Sequence, residues 1–198
     1  MRILVLADQA DKTLWDYLDR RKLENIDLVL SCGDLPADYL SFLTCFTRAP
    51  ILYVHGNHDG RYEQKPPEGC ICIEDRIYVH KGVRVLGLGG SMRYKPGAHQ
   101  YTEKEMARRM KRLRFLMMRH RGFDILLTHA PASGLGDSPD AAHKGFETFR
   151  ILMHKYRPKY LVHGHVHKGY THDFRRERRW EDTTIINAWS SFIIDYEP

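Results

Sequence analysis

The chain has 198 residues, of which 42% are hydrophobic and 28% are charged, and its formal net charge is +6. This length predicts a single domain over residues 1–198, and the positive charge favours phosphorylated or polyanionic ligands. No apolar run approaches the roughly 20 residues of a membrane helix, so we expect no membrane partner.

The first residues of the chain indicate a strand rather than a signal peptide. Residues 3–7 are apolar, and the run ends at Asp8. None of the four cysteines belongs to a paired Cys-x-x-Cys framework: Cys32, Cys45, Cys70 and Cys72. Without a secretion signal, reduced thiols are the simplest interpretation, and we expect a cytoplasmic protein.

Residues with metal-binding side chains follow five short apolar runs. The runs are residues 3–7, 27–31, 51–54, 124–128 and 160–162. They lead, in that order, into Asp8, Gly33-Asp34, Gly56-Asn57-His58-Asp59, His129 and Gly164-His165-Val166-His167. Continuous apolar runs of this length are typical of strands buried on both faces. Because open α/β sheets bind ligands beyond the carboxyl ends of such strands, the pattern predicts one site there.

Three helices are predicted from the spacing of apolar residues and from capping signals. The first helix is predicted over residues 11–24, with Asp11 as a suitable N-cap. Residues 102–121 begin with a capping-box pattern and continue with apolar side chains on one face. Residues 143–156 form the third predicted helix.

Two groups of short strands complete the predicted elements. The first group covers residues 71–73, 77–79 and 83–88, and the second covers residues 170–174, 184–187 and 191–194. The basic run 175–179 is interpreted as a hairpin tip between two strands. Together the elements predict an α/β protein with two packed sheets and helices outside them.

The strand ends supply two aspartates, one asparagine and three histidines, which offer only oxygen and nitrogen donors. Such donors suit Mn²⁺, Fe²⁺ or Zn²⁺ better than a thiolate-binding metal. A shared aspartate can hold two ions about 3.5–4 Å apart, and the pair turns a bridging water into hydroxide near neutral pH. The ions also neutralise the charge that develops on phosphate oxygens.

The segment Gly56-Asn57-His58-Asp59 fits this chemistry. Asn57 can bind metal through its carbonyl oxygen, whereas His58 projects towards the phosphate without binding metal. There His58 can stabilise charge or protonate the leaving oxygen as a general acid. We expect Asp59 to orient His58 and to keep it protonated through its negative charge.

The ordered series from Asp8 to Gly164-His165-Val166-His167 resembles the calcineurin-like metallophosphoesterase superfamily along nearly the whole chain. The segments Thr128-His129-Ala130-Pro131 and Gly134-Leu135-Gly136-Asp137 resemble, more narrowly, small single-domain bacterial phosphodiesterases. The resemblance implies a four-layer α/β/β/α sandwich of two mixed sheets with flanking helices, and a dinuclear site between the sheets. It implies that one ion is held by Asp8, Asp34 and His167. It implies that the other is held by Asp34, Asn57, His129 and His165.

One position departs from the family pattern, which usually begins with Asp-x-His and uses that histidine for the first ion. Here the sequence is Asp8-Gln9-Ala10-Asp11, so the first ion lacks one protein donor. Water or Asp11 can replace it, and water is favoured because Asp11 is well placed to cap the following helix. We expect two divalent ions, with Mn²⁺ the first choice and Fe²⁺ or Zn²⁺ as alternatives, and the first ion bound more weakly.

Residues outside the motifs are weaker candidates. The glycine-rich loop around Arg93 follows a strand and can offer that guanidinium to a substrate phosphate, although an ordinary connection is an equal interpretation. His99 and His143 are weaker candidates of the same kind. The basic residues at 108–114 and 175–179 are interpreted as solvated surface, because no aromatic side chains interleave with them as a nucleic-acid surface requires.

The sequence therefore predicts a metal-dependent phosphoesterase with a small phosphorylated substrate, and a phosphodiester is favoured over a monoester. A metal-bridging hydroxide attacks phosphorus in line, and His58 assists the leaving group. Two alternatives stay open. One is a binding module that kept the fold and lost catalysis, which Ala10 supports, and the other is a nuclease that uses the basic faces. The oligomeric state is left open.

Overall fold

The predicted apolar runs form the central strands of two mixed sheets in a computed structural model, which describes residues 1–167 and 174–197. The first sheet contains, in spatial order, β13 (Ser190–Asp195), β1 (Arg2–Ala7), β2 (Leu28–Ser31), β3 (Ile51–Tyr53) and β4 (Ile71–Cys72). The second contains β11 (Glu177–Trp180), β12 (Thr183–Asn187), β10 (Tyr160–His163), β9 (Ile125–Thr128), β6 (Val83–Leu88) and β5 (Ile77–His80). A small separate ribbon pairs β7 (Ser91–Met92) with β8 (Gln100–Tyr101).

The central strands of both sheets are parallel, whereas the outer strands β13, β11 and β5 pair antiparallel to their neighbours. The helices are α1 (Ala37–Thr44), α2 (Glu103–Arg112), α3 (Arg114–Arg119) and α4 (Glu147–Tyr156). Three short 3₁₀ turns cover Lys12–Leu14, Arg20–Leu23 and Asp59–Glu63.

Alternate residues of each strand face different layers, because successive side chains of a strand point to opposite faces. In β1, Ile3 and Val5 pack in the core between the two sheets. Leu4 and Leu6 pack on the other side, in the core that contains α1. The second sheet likewise packs α2, α3 and α4 against its outer face. The result is the four-layer α/β/β/α sandwich, and the predicted fold class is confirmed.

The prediction of one helix over residues 11–24 is wrong. The side chain of Asp11 accepts a hydrogen bond from Thr13 N at 2.8 Å and caps the turn Lys12–Leu14. Asp19 then caps the second turn, Arg20–Leu23, through Arg21 N. Aspartate side chains that bind nearby amides compete with a continuous helix, and here they divide the segment into two short turns.

The other helices are shorter than predicted. The capping box of Thr102 is present, but the helix predicted over 102–121 divides at Leu113 into α2 and α3. The helix predicted over 143–156 begins only at Glu147, where Glu103 accepts hydrogen bonds from the first amides of α4. Helix α1 follows Pro36 and was not predicted.

The prediction of a hairpin tip at residues 175–179 is wrong for its last three residues, because Glu177–Trp180 forms the edge strand β11. Residues 170–173 of the strand predicted over 170–174 lie outside the described residues, and Phe174 lies in no strand. All four cysteines are free thiols. Within the described part of the chain, every helix is too short or too polar to cross a lipid bilayer.

Candidate metal centre

The strand ends meet across the two sheets and form one cavity. In the first sheet Leu6 pairs with Ser31, and Ser31 pairs with Tyr53, so β1, β2 and β3 end side by side. A main-chain hydrogen bond connects the sheets, because Gly90 N, after β6 of the second sheet, donates to the His55 carbonyl, after β3 of the first, at 2.7 Å. A cavity of about 270 Å³ lies at this edge and is lined by Asp8, Asp34, His58, His143, His165 and His167.

Three of the expected ligands form a tight group beneath the cavity. One donor atom each from Asp34, His129 and His165 can be chosen so that all lie within 4.8 Å of one another. His129 is fully buried, and His165 is 6% exposed. The side-chain oxygen of Asn57 lies 3.1 Å from His129 Nε2, which adds a fourth donor.

The surroundings of His129 favour a cation. Its Nδ1 donates to the Cys32 carbonyl at 2.8 Å, which turns Nε2 towards Asp34 Oδ2 at 3.3 Å and towards Asn57. Burial alone lowers the pKa of His129, but the carboxylate of Asp34 outweighs it and raises the pKa to about 9. The two oxygens around Nε2 thus attract positive charge, which a divalent ion supplies when imidazole is neutral.

The carboxylate of Asp34 is ionised within this group. Burial opposes its charge, yet the neighbouring His129 and a hydrogen bond from His58 N at 2.8 Å lower its pKa to about 2. Gly56 allows the close approach of this side chain, because a β-carbon at Gly56 would overlap the Asp34 carboxylate. Glycine at this motif position is therefore a steric requirement.

Asp59 has different partners from those expected. Its Oδ2 accepts hydrogen bonds from Asp34 N and from Gly56 N, both at 2.8 Å. The carboxylate therefore joins the Gly33-Asp34 turn to the Gly56-Asn57 loop, and these contacts direct it to the main chain rather than to the His58 ring. The ring of His58 is exposed at the cavity.

Asp8 and His167 lie on the other side of the cavity. The Asp8 side chain is 1% exposed, and His167 Nε2 lies 3.5 Å from its Oδ1. His165 N donates to both Asp8 oxygens, at 2.9 and 3.1 Å. Asp11 is committed elsewhere, because it caps the first 3₁₀ turn and accepts a hydrogen bond from Ser191. It therefore does not take the place of the missing ligand at Ala10.

The ring of His165 is held in a form that suits metal binding. Its Nε2 donates to the Ala142 carbonyl at 2.7 Å, which leaves the lone pair on Nδ1. Burial, together with the neighbouring His129, lowers its pKa to about 3. A neutral imidazole with one nitrogen fixed by a carbonyl is the usual arrangement of a histidine ligand.

Arg93 does not line the cavity. Its guanidinium pairs with Glu105 at 2.9 Å and donates to the Gln100 carbonyl at 3.2 Å, next to the start of α2.

The prediction that Arg109 belongs to a solvated face is wrong, because this side chain is 7% exposed. It pairs instead with Glu74 and Asp75.

Glu74 supports the loop that carries Asn57 and His58, and no motif in the sequence marks it. Its Oε2 accepts a hydrogen bond from His55 N at 3.1 Å, immediately before that loop. Its Oε1 accepts from Gly89 N at 2.8 Å in the other sheet and pairs with Arg109. A single carboxylate therefore connects the two sheets behind the site.

The donor set as a whole fits divalent metal ions. Asp34, His129, His165 and Asn57 present oxygen and imidazole nitrogen within a buried space, which suits Mn²⁺, Fe²⁺ or Zn²⁺. Asp8 and His167 would hold a neighbouring ion together with the shared Asp34. The group around His129 therefore has four donors. The group around Asp8 has three, because Ala10 offers no side-chain donor.

The sequence matches one known family over most of its length. The model of the family described as calcineurin-like phosphoesterase matches residues 1–169. The UPF0046 protein T07D4.2 of Caenorhabditis elegans is 41% identical over 51 residues. That match covers 25% of this chain, and the chain spans only 13% of the length of the worm protein.

Solved structures with the same fold have low sequence identity to this chain. TT1561 of Thermus thermophilus has a TM-score of 0.65 and 16% identity, with 95% of this chain and 88% of that chain covered. GAP50, described as the anchor in the inner membrane complex of Plasmodium, has a TM-score of 0.57 and 11% identity, with 94% and 70% covered. The 5'-nucleotidase of Candida albicans has a TM-score of 0.51 and 12% identity, with 94% and 44% covered. At these identities the likeness concerns the fold.

Proposed function

Because the chain belongs to the calcineurin-like phosphoesterase family, we propose that it is a metal-dependent phosphoesterase and, more narrowly, a phosphodiesterase for small substrates. One observation carries the proposal: Asp34, His129 and His165 converge beneath a cavity at whose edge His58 is exposed. A fold retained only for binding needs neither a buried donor group nor an imidazole at the edge of the cavity.

The chain's own residues have distinct parts in this reaction. When bound, the divalent ions supply the activated water and the positive charge that hydrolysis of a phosphate ester needs. Asp34 holds the loop of His58 through the main-chain amide of that residue. The His58 ring can then donate a proton to the departing oxygen as a general acid. No covalent intermediate with the protein is required.

A second cleft lies next to His58 and has space for the organic group that leaves. This cleft of about 580 Å³ shares His58 with the metal cavity and is also lined by Leu35, Tyr62, Arg61 and Lys65. A monoester and a diester each lose one organic group, which departs on the side of the general acid. The cleft gives that group space next to His58, with the Arg61 guanidinium at its wall, whereas Lys65 is paired with Asp38. The preference for a diester comes from the resemblance of residues 128–131 and 134–137 to small phosphodiesterases.

The direct test is hydrolysis of bis-p-nitrophenyl phosphate by the purified protein. We expect turnover with added Mn²⁺, and Fe²⁺, Zn²⁺ and Ni²⁺ should be compared at matched concentration. No turnover with any of these four ions would argue strongly against the proposed activity. p-Nitrophenyl phosphate, assayed in parallel, separates a diesterase from a monoesterase.

Replacing His58 by alanine should lower kcat by about 10²–10⁴-fold, the usual contribution of a general acid. Metal content, measured by mass spectrometry of the protein, should stay at the wild-type level because His58 is not a ligand. The control is His154→Ala, since His154 is likewise exposed but lies on α4, away from the cavity. Unchanged kcat in His58→Ala would remove His58 from the mechanism.

The two ions should differ in affinity. The ion at Asp8, Asp34 and His167 has one protein donor fewer than its neighbour, because Ala10 stands where the family has histidine. Titration of metal-free protein with Mn²⁺ in a calorimeter should therefore resolve a tight and a weak event. Two tight events of equal affinity would contradict this asymmetry. The variant Ala10→His should reduce the difference in affinity between the two ions.

Two other functions are outcomes of the same experiments. A binding module would take up metal without turnover. A nuclease would cleave single-stranded DNA or RNA in preference to the small diester at matched salt, where phosphate contacts make binding salt-dependent. The proposed compartment is the cytoplasm, where the four thiols stay reduced.

A further inference from the structure

Five of the six residues that line the metal cavity belong to the predicted site, and the sixth is His143. The His143 side chain is only 17% exposed, although it lies in the irregular segment before α4. Its ring centre lies 5.1 Å from that of His165. A histidine of a connecting segment is thus placed against a metal ligand at the wall of the cavity.

The segment that carries His143 is fixed over the site at both ends. The Asp137 carboxylate accepts hydrogen bonds from Gly134 N at 2.8 Å and from Gly145 N at 3.0 Å. In the middle, the Ala142 carbonyl accepts the hydrogen bond from His165 Nε2 at 2.7 Å. The position of His143 is therefore tied to the metal centre itself and is not that of a loose surface loop.

Asp140 fixes the orientation of the His143 ring. Both carboxylate oxygens lie close to His143 Nδ1, at 2.8 and 3.0 Å, and one of them also accepts from His143 N at 3.1 Å. Nδ1 therefore donates to Asp140, and Nε2 is the nitrogen on the far side of the ring. An aspartate that fixes one imidazole nitrogen so that the other can act is a recurring arrangement in active sites.

We propose that His143 is a second histidine that contacts the substrate, binding a phosphate oxygen in the cavity that His58 also lines, with Asp140 as its positioning residue. The inference rests on the proposed phosphoesterase function. Within the described residues, the donor group compact enough to hold a metal ion consists of Asp34, His129 and His165 and does not include His143. Because Asp140 binds Nδ1, the His143 ring lines the cavity without joining that group, and the cavity is the space that a substrate phosphate would enter.

The test measures phosphate binding as well as turnover. Inorganic phosphate is titrated by calorimetry into Mn²⁺-loaded wild type and into the variants His143→Ala and Asp140→Asn. His143→Ala should weaken phosphate binding about tenfold or more, the value of a lost hydrogen bond to a charged group. In the diester assay KM should rise. Asp140→Asn should have a smaller effect of the same sign, because the ring stays but loses its fixed orientation.

His154→Ala is the matched control, since His154 also faces a carboxylate, that of Glu181 at 3.1 Å, but is 71% exposed on α4. It should bind phosphate as the wild type does. Wild-type phosphate affinity in His143→Ala would overturn the inference, and so would loss of bound Mn²⁺, which would make His143 a ligand. A wild type that binds phosphate through His143 but hydrolyses no ester would refute the proposed function and leave this contact standing.

Discussion

Replacing Asp34 by alanine should release metal from both sites and lower turnover by at least about a thousandfold, more than 4 kcal/mol of transition-state stabilisation. Asp34 is the one residue expected to contact both ions, and its carboxylate lies 3.3 Å from His129 Nε2. The measurements are metal content by mass spectrometry and kcat/KM for the diester in excess Mn²⁺. Asp34→Asn keeps the shape and an oxygen donor but loses the charge, so it should retain part of the metal.

The effect of Asp34 must be separated from a loss of folding. The control is Asp124→Asn, because Asp124 accepts hydrogen bonds from Arg84 N and Arg84 Nε, both at 2.8 Å. It precedes β9, at the end of the sheet opposite His129, and its loss should cost about 1–3 kcal/mol of stability without loss of metal. Full metal content in Asp34→Ala would contradict the assignment of the shared ligand.

Replacing Glu74 by alanine should lower the free energy of unfolding by about 3–5 kcal/mol, because Arg109 would lose the main partner of its buried charge. Arg109 keeps Asp75, and its guanidinium still lies 4.4 Å above the Tyr101 ring, so the lower end of that range is expected. For a chain of this length each kcal/mol lowers Tm by about 2–4 °C. Thermal unfolding followed by circular dichroism gives the measurement.

The stabilisation by Glu74 should also depend on pH. Burial alone raises its pKa, but the hydrogen bond from His55 and the charge of Arg109 lower the pKa from 4.5 to about 2. A carboxyl with a lowered pKa stabilises the fold above its unfolded pKa and loses that effect as the pH falls towards its folded pKa. The difference between wild type and Glu74→Ala should therefore be full at neutral pH and shrink between about pH 4.5 and pH 2.

An exposed ion pair provides the comparison for Glu74. Lys65 lies 2.8 Å from Asp38, and their side chains are 68% and 71% exposed. Lys65→Gln should change the stability by less than about 1 kcal/mol, because solvent screens such pairs. Equal effects of Glu74→Ala and Lys65→Gln would show that the buried pair contributes no more than a surface one.

The strands and the residues that meet at the cavity could be predicted because each depends on a short stretch of sequence. A continuous apolar run that ends in Asp8 or His129 marks both a buried strand and the edge where ligands bind. The helices predicted over residues 11–24 and 143–156 have the wrong bounds. Their limits depend on capping by Asp19, close in sequence, and by Glu103, which is 44 residues from the amide of Glu147 that it binds.

The residues that support the site also could not be predicted from a local sequence pattern. Glu74 and Arg109 are 35 residues apart. They meet only because Glu74 follows β4 of the first sheet and α2 packs against the second sheet, and the two sheets approach each other there. The sequence offers His143 only as a weaker candidate at the start of a predicted helix, and its place at the cavity depends on the folding of residues 137–145 around Asp137. Contacts of this kind follow from the packed fold and leave no periodic signal in the sequence.

Three of the expected ligands have left-handed backbone conformations. The φ angles are 64° at Asp8, 57° at Asp34 and 68° at His165. Such a conformation costs on the order of 1–3 kcal/mol for a residue other than glycine. Glycine at any of the three would relax the chain and delete a ligand at once. Laboratory evolution under selection for thermal stability alone should therefore yield a more stable but inactive protein. Such a selection must also include turnover.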